Sequence, residues 1–224
     1  MNNIKNIIAE WSGLLANDLP LRLHRHNEAR RILHLAPQSP ADFVRHFAES
    51  QEELLQRQCK APAAVVQRAC FIAEREARKA GVTAGRMPYA AELPEVCRKA
   101  GLRLHIVDAA PRMYIKSWLA GRSMSRGVEH ISGGMHNMCA RELERLMERF
   151  ELEAEETLLV AANAPTLFAG RAAGLTTAAV MTGYSSPAEL RAIGPTMSFD
   201  DLGQLVAALV LRDRRDRKGD AVCK

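Results

Sequence analysis

Asn6-Ile7-Ile8-Ala9-Glu10 is a short apolar run followed by a turn at Gly13, the pattern of a strand buried on both faces. From Leu19 to about Ala80 the spacing becomes helical. It passes through Leu21, Leu23, Ile32, Leu33 and Leu35, then Phe43, Val44 and Phe47, then Leu54 and Leu55, then Val65, Val66, Cys70, Ile72 and Ala73. Ser39-Pro40 has the form of a helix start, and no strand pattern breaks the stretch, so a small all-helical insertion is expected. Pro88 opens an alternating regime. A helix over Leu93–Lys99 leads to a strand over Leu102–Val107 and a helix over Pro111–Leu119. A loop with Gly133-Gly134 precedes a long helix, Ala140–Phe150, with Glu/Arg pairs at supporting spacing. Strands at Thr157–Ala161 and Thr176–Met181 flank a helix at Thr166–Ala173 that stops at Gly174. Ser186-Pro187 opens a helix over Ala188–Ile193, and Asp200-Asp201 caps a last helix ending at Leu211. The alternation predicts an α/β fold, a three-layer Rossmann-like parallel sheet covered on both faces. The expected division is a core of residues 1–18 and 81–211, a helical cap of residues 19–80, and a charged tail of residues 212–224.

Composition narrows the class. The 224 residues are 47% hydrophobic and 25% charged, enough to build a core in a globular chain. No apolar run reaches the roughly 18 residues of a membrane span, and the amino terminus lacks a long apolar stretch, so neither a membrane span nor a secretory signal is expected. Cys59, Cys70, Cys97, Cys139 and Cys223 are scattered, with no Cys-x-x-Cys, which points to free thiols in a reducing cytoplasm. The net charge of +5 falls mainly in Arg22, Arg25, Arg30 and Arg31 and in the tail from Arg212 to Lys218. Both stretches interleave basic with acidic or apolar residues, and only 5% of residues are aromatic, so solvated faces are expected rather than nucleic-acid binding.

Four segments carry candidate chemistry. They are Ile7-Ile8-Ala9-Glu10-Trp11-Ser12-Gly13-Leu14-Leu15, Leu104-His105-Ile106-Val107-Asp108-Ala109-Ala110-Pro111, Gly133-Gly134-Met135-His136-Asn137-Met138, and Val160 to Gly174. In order and spacing they resemble the four motifs of the haloacid dehalogenase-like (HAD) phosphatases, in particular the phosphoglycolate phosphatase-like branch with a helical cap after motif one. The resemblance implies a mechanism. A motif-one aspartate attacks phosphorus, a second aspartate two residues on moves the proton, and magnesium, a lysine and a hydroxyl offset the phosphate charge. Here the nucleophile position is Glu10, the acid–base position Ser12 and the motif-one threonine Leu14. The motif-two hydroxyl is Asp108, the lysine is Met138, and the two motif-four acids are Ala162 and Thr166. Gly13, Ala109, Ala110 and Asn163 are the residues expected around a bound ligand.

Each departure removes a physical requirement of that chemistry. Glutamate is one methylene too long for the in-line geometry. Serine cannot shuttle a proton near neutrality, Ala162 offers magnesium no side-chain oxygen, and Met138 offers phosphate no charge. Glu10 and Asp108 are expected to face one crevice without the metal and lysine that offset such acids, capping turns, where two charges about 5 Å apart repel by roughly 3 kcal/mol at an effective dielectric near 20. Such a crevice repels phosphate unless backbone amides outweigh the charge, or one carboxyl holds a proton. The expected function is therefore a pseudophosphatase, a binding or regulatory module acting as a homodimer or with a protein partner and needing no cofactor. The alternative is an active hydrolase of a small phosphorylated metabolite, with Glu10 as nucleophile, Asp108 as metal ligand and Mg²⁺ required. A third reading is a basic module that binds acidic partners through the cap and tail. Other residues read as structural. Trp11 and Trp118 are packing groups, His24, His26 and His34 surface histidines, and Ser185-Ser186-Pro187 a helix start. His136-x-x-Cys139 is too sparse for a metal site.

Overall fold

The computed structural model describes residues 3–47, 49–135 and 138–222, with side chains described as far as residue 213. His136 and Cys223, named above, lie outside the described residues, as do the side chains of the tail from Arg214 to Lys218. In chain order the elements are β1 (Asn6–Glu10), β2 (Ala16–Asn17), α1 (Leu19–Ile32), α2 (Pro40–Val44), α3 (Gln51–Cys59), α4 (Ala63–Lys79) and β3 (Gly85–Arg86). There follow α5 (Glu92–Lys99), β4 (Arg103–Val107), α6 (Arg112–Ala120), β5 (His130–Ser132), α7 (Ala140–Phe150) and β6 (Thr157–Ala161). The chain ends with α8 (Ala164–Ala172), β7 (Thr176–Val180), α9 (Pro187–Ile193), β8 (Met197–Phe199) and α10 (Leu202–Val222). It divides into two compact units, one of residues 1–16 with 86–224 and one of residues 17–85.

The first unit is a six-stranded sheet in the order β5-β4-β1-β6-β7-β8, with every neighbouring pair parallel. This is the α/β, Rossmann-like architecture expected from the alternation of elements. β1 is central, buried along its whole length, and pairs Ile7 with Leu104 on one side and with Leu158 on the other. A strand walled in on both faces tolerates a continuous apolar run, which is why Asn6-Ile7-Ile8-Ala9-Glu10 reads without alternation. From β1 the sheet grows outward through β4 on one side and through β6 on the other. Open parallel sheets bind ligands at the carboxyl ends of the strands where the order reverses in this way. α7 packs Leu143, Leu146 and Met147 into a cluster with Ile8, Val107 and Leu159. α9 begins with a capping box in which Ser186 and Glu189 satisfy each other's backbone amides.

The second unit, taken by itself, is helical. α4 lays Val66, Ala69, Ala73 and Ala77 on one stripe, and these small residues let it run close along α1. Ala29, Leu55, Val66 and Ala73 form its core.

Several local expectations are corrected. β5 and β8 are three-residue edge strands of mixed burial, too short and too polar for a periodic signal. The last helix continues past Leu211 to Val222, because the charged sequence there contains no helix stop before Gly219. His26 is fully buried, 5.0 Å from the Phe43 ring, and is not a surface histidine. Arg30 is also buried; it donates to the Ala36 carbonyl and to Gln58 rather than to water. In both cases the helical stripe is wider than the apolar residues alone mark out. Trp11 and Trp118 do pack as expected, edge-to-face at 5.4 Å.

His105 on β4 is 1% exposed, and neither ring nitrogen has a hydrogen-bond partner. Its surroundings are the rings of His130 and Phe150, with Glu129 and Arg103 nearby. Burial lowers its pKa from 6.5 to about 4. A depressed folded-state pKa means that the contribution to stability is complete above pH 6.5 and is lost as pH falls towards 4. His105→Leu should therefore flatten the fall of melting temperature across that window while leaving the neutral-pH value equal or higher; an unchanged acid limb would show that the imidazole does not control it.

Candidate functional site

The carboxyl ends of β1, β4 and β6 bring together most of the residues singled out in the sequence. Glu10 is the last residue of β1 and reaches across to the start of α8. Its Oε2 accepts from the backbone amides of Ala162 (2.8 Å) and Asn163 (3.0 Å), and its Oε1 accepts from the Thr166 hydroxyl at 2.6 Å. Asn163 is the N-cap of α8, but its side chain makes no capping bond. The anionic cap comes instead from a strand more than 150 residues earlier in the chain. Positioning a carboxylate there satisfies two exposed donors and opposes the positive end of the helix dipole. The added methylene of glutamate supplies the reach, and Ala162 and Thr166 leave no competing acid beside it.

Asp108, just past the end of β4, is the second anchor. Its Oδ2 accepts from the Ser12 amide at 2.8 Å, while Oδ1 accepts from the Ala110 amide at 2.8 Å and the Ser12 hydroxyl at 3.2 Å. Of the other amides in the turn after β1, that of Trp11 donates to the Val107 carbonyl and that of Gly13 to the Ala16 carbonyl. Each carboxylate is thus held by backbone donors and a hydroxyl, and both are buried rather than meeting solvent.

Asn163 ties the loops together. Its Nδ2 donates to the Ser12 carbonyl (2.9 Å), and its Oδ1 accepts from the Tyr184 amide (2.9 Å). Thr182 donates to the Gly13 carbonyl, and the Ser185 hydroxyl accepts from the Ala164 amide. The loop after β7, which carries Thr182, Tyr184 and Ser185, also belongs to this region. At Gly183 in that loop a Cβ would stand 2.0 Å from the Ala162 carbonyl oxygen. Gly13 has φ +73°, and a Cβ there would come within 2.9 Å of the Gly183 Cα. Met138 is drawn elsewhere, packing against the cluster of Ile8, Val107 and Leu143, and Leu14 is fully buried. Ala109 is half-buried in the turn before α6.

Burial raises the pKa of Glu10 from 4.5 to about 7, with the Asp108 charge adding to the rise and the bonds from Thr166, Ala162 and Asn163 opposing it. One carboxyl of the pair therefore holds a proton over part of the physiological range. Desolvation outweighs the donors.

No protein-family model and no curated protein matches the sequence. Solved structures do. A chain from Bacteroides fragilis, provisionally described as a haloacid dehalogenase-like hydrolase, superposes with a TM-score of 0.80 at 17% identity, over 90% of this chain and 99% of that one. The chain carries the haloacid dehalogenase-like fold. A predicted phosphoglycolate phosphatase from Haemophilus somnus superposes with a TM-score of 0.78 at 18% identity, over 93% and 99% of the two chains. A hydrolase of the haloacid dehalogenase-like family from Streptococcus pneumoniae gives 0.77 at 15%, over 93% and 99%.

The HAD-like fold implies magnesium, and the donor set here does not suit it. Hard divalent cations need several oxygen ligands converging on one point. Ala162 supplies none from its side chain, and the oxygens of Glu10 and Asp108 are already directed at amides and hydroxyls. Among the described residues no group of three or more His, Cys, Asp or Glu side chains could hold a metal ion.

Two outcomes are expected. Glu10→Gln keeps an acceptor for the two amides and a donor for Thr166 but cannot ionise. The raised pKa of Glu10 favours the fold fully below pH 4.5, an advantage lost as pH rises through about 7. The glutamine variant should therefore gain stability over the parent between pH 5 and pH 8, by up to about 3 kcal/mol in urea unfolding. A constant difference across that range would overturn the assignment. Gly183→Ala should lower the melting temperature through the clash with the Ala162 carbonyl, with a cost of about 1–3 kcal/mol.

Proposed function

We propose that this chain is a pseudophosphatase, a HAD-fold protein whose site has become an internal brace and whose work is binding or regulation rather than phosphoryl transfer. One observation carries the reading: four backbone amides at the carboxyl ends of β1, β4 and β6 are already engaged by the chain's own carboxyl groups. Ser12 and Ala110 donate to Asp108, and Ala162 and Asn163 donate to Glu10. A phosphate dianion entering there has to displace a tethered carboxyl group from each set, and no lysine stands at position 138 to offset its charge. Ser12 gives its proton to Asp108 and cannot serve as the general acid, a role worth on the order of 10²–10⁴ in rate. Four described cysteines are free thiols, which supports a reducing compartment such as the cytoplasm. No described helix is long and apolar enough to cross a membrane.

A second reading is an active hydrolase of a small phosphorylated metabolite that uses Glu10 and Asp108. The descriptions of the structural neighbours as phosphatases and hydrolases favour it over the first. The geometry of the carboxylates weighs the other way.

Hydrolysis of p-nitrophenyl phosphate in excess Mg²⁺ separates the two. The brace predicts background turnover and no calorimetric binding of orthophosphate or beryllium fluoride. Magnesium-dependent turnover lost in Glu10→Ala would establish the hydrolase. Restoring chemistry should take Glu10→Asp, Ser12→Asp, Ala162→Asp and Met138→Lys together with Asp108→Thr, because Asp108 otherwise retains the Ser12 and Ala110 amides.

A further inference from the structure

A different part of the molecule, independent of the site, carries an interaction surface. α4 buries Val66, Ala69, Ala73 and Ala77, so the opposite face of the helix presents Arg68, Phe71 and Arg75. Phe71 is 70% exposed. Arg78 and Lys79 on the same helix are paired with Glu74 and Glu76, whereas Arg68 and Arg75 make no ion pair among the described residues. An exposed aromatic ring between two guanidinium groups that make no ion pair is costly to leave in water and suited to an acidic partner.

The matching charge lies on the same chain. Glu144 and Glu148 are exposed on one face of α7, and Glu151, its left-handed C-cap, is exposed just beyond them; none makes an ion pair among the described residues, while the neighbouring Glu142 is held by Arg145. Glu144 and Glu151 are seven residues apart, as are Arg68 and Arg75. Seven residues span about 10 Å along a helix. We propose that a second copy of this chain docks its α7 face antiparallel onto α4. Arg68 then meets Glu151, Arg75 meets Glu144, and the ring of Phe71 covers the aliphatic stem of Glu148. Each copy carries both halves, so the contact is heterologous, repeating from copy to copy unless the rotation closes it. One helix pair is a small interface, so the association is weak and sensitive to salt.

Sedimentation velocity on the full chain tests this. Concentration-dependent association is expected near 0.05 M salt, weakened roughly tenfold or more by about 0.5 M. Arg68→Glu with Arg75→Glu should abolish it, as should Glu144→Arg with Glu151→Arg, each variant keeping the parent's melting temperature. The two reversed variants should associate with each other when mixed, an outcome that misfolding cannot imitate. A monomer at all salt concentrations, association untouched by either double variant, or failure of the mixture would overturn the proposal. Retention on heparin through Arg68 and Arg75 without self-association would overturn it too, and assign the face to a polyanion.

Discussion

The carboxylate of Glu10 at the head of α8 is the interaction on which the rest of the site depends. A helix emerging from the centre of a parallel sheet leaves its first amides pointing into the crevice, where water and neighbouring strands compete poorly for them. Something anionic belongs there. In this chain it is a side chain from the adjacent strand, holding Ala162, Asn163 and Thr166 at once. That bond fixes the spacing between the turn after β1 and the start of α8, and Asn163, held in place, joins Ser12 to Tyr184. Three loops are thereby set by a single buried carboxylate.

The arrangement carries a tension. Burial pushes Glu10 towards its neutral form, while the donors around it favour the charged one. A proton on Glu10 resolves part of the repulsion from Asp108. The energetic result is a cap whose strength depends on pH, unlike a serine or threonine cap, which has no charge to lose.

Much of the fold was legible because its determinants are local. β1 and α7 begin and end where apolar run and period say they should, since a doubly buried strand and a helix with Leu143, Leu146 and Met147 in register leave unambiguous patterns. β5 and β8 were not legible, because an edge strand of three residues with none fully buried is defined by its neighbour rather than by its own sequence. The resemblance located Glu10, Ser12, Asp108, Ala162 and Thr166. It did not reveal what Glu10 and Asp108 touch, because those partners depend on side-chain reach between segments separated by 152 and 96 residues. Met138 illustrates the same limit: a missing lysine can be read directly, but its burial against Ile8 and Leu143 depends on where α7 settles.

In the proposed pseudophosphatase, loss of chemistry and retention of fold are linked by electrostatics. The motifs that this chain resembles bring four acids to one crevice, and only a divalent metal makes that concentration of charge tolerable. Removing magnesium from such a site leaves carboxylate pairs that repel by roughly 3 kcal/mol each at 5 Å and an effective dielectric near 20. A chain that gives up the metal has to give up acids as well. Here Ser12, Ala162 and Thr166 remove three of the four, and Glu10, the one retained, is long enough to reach donors that lower its cost. Asp108 adds an acid in place of a hydroxyl, but in a turn where Ser12 and Ala110 supply amides to receive it. The substitutions thus form one consistent set. Each carboxylate that remains is matched by backbone donors and a hydroxyl, so its charge is offset without a metal.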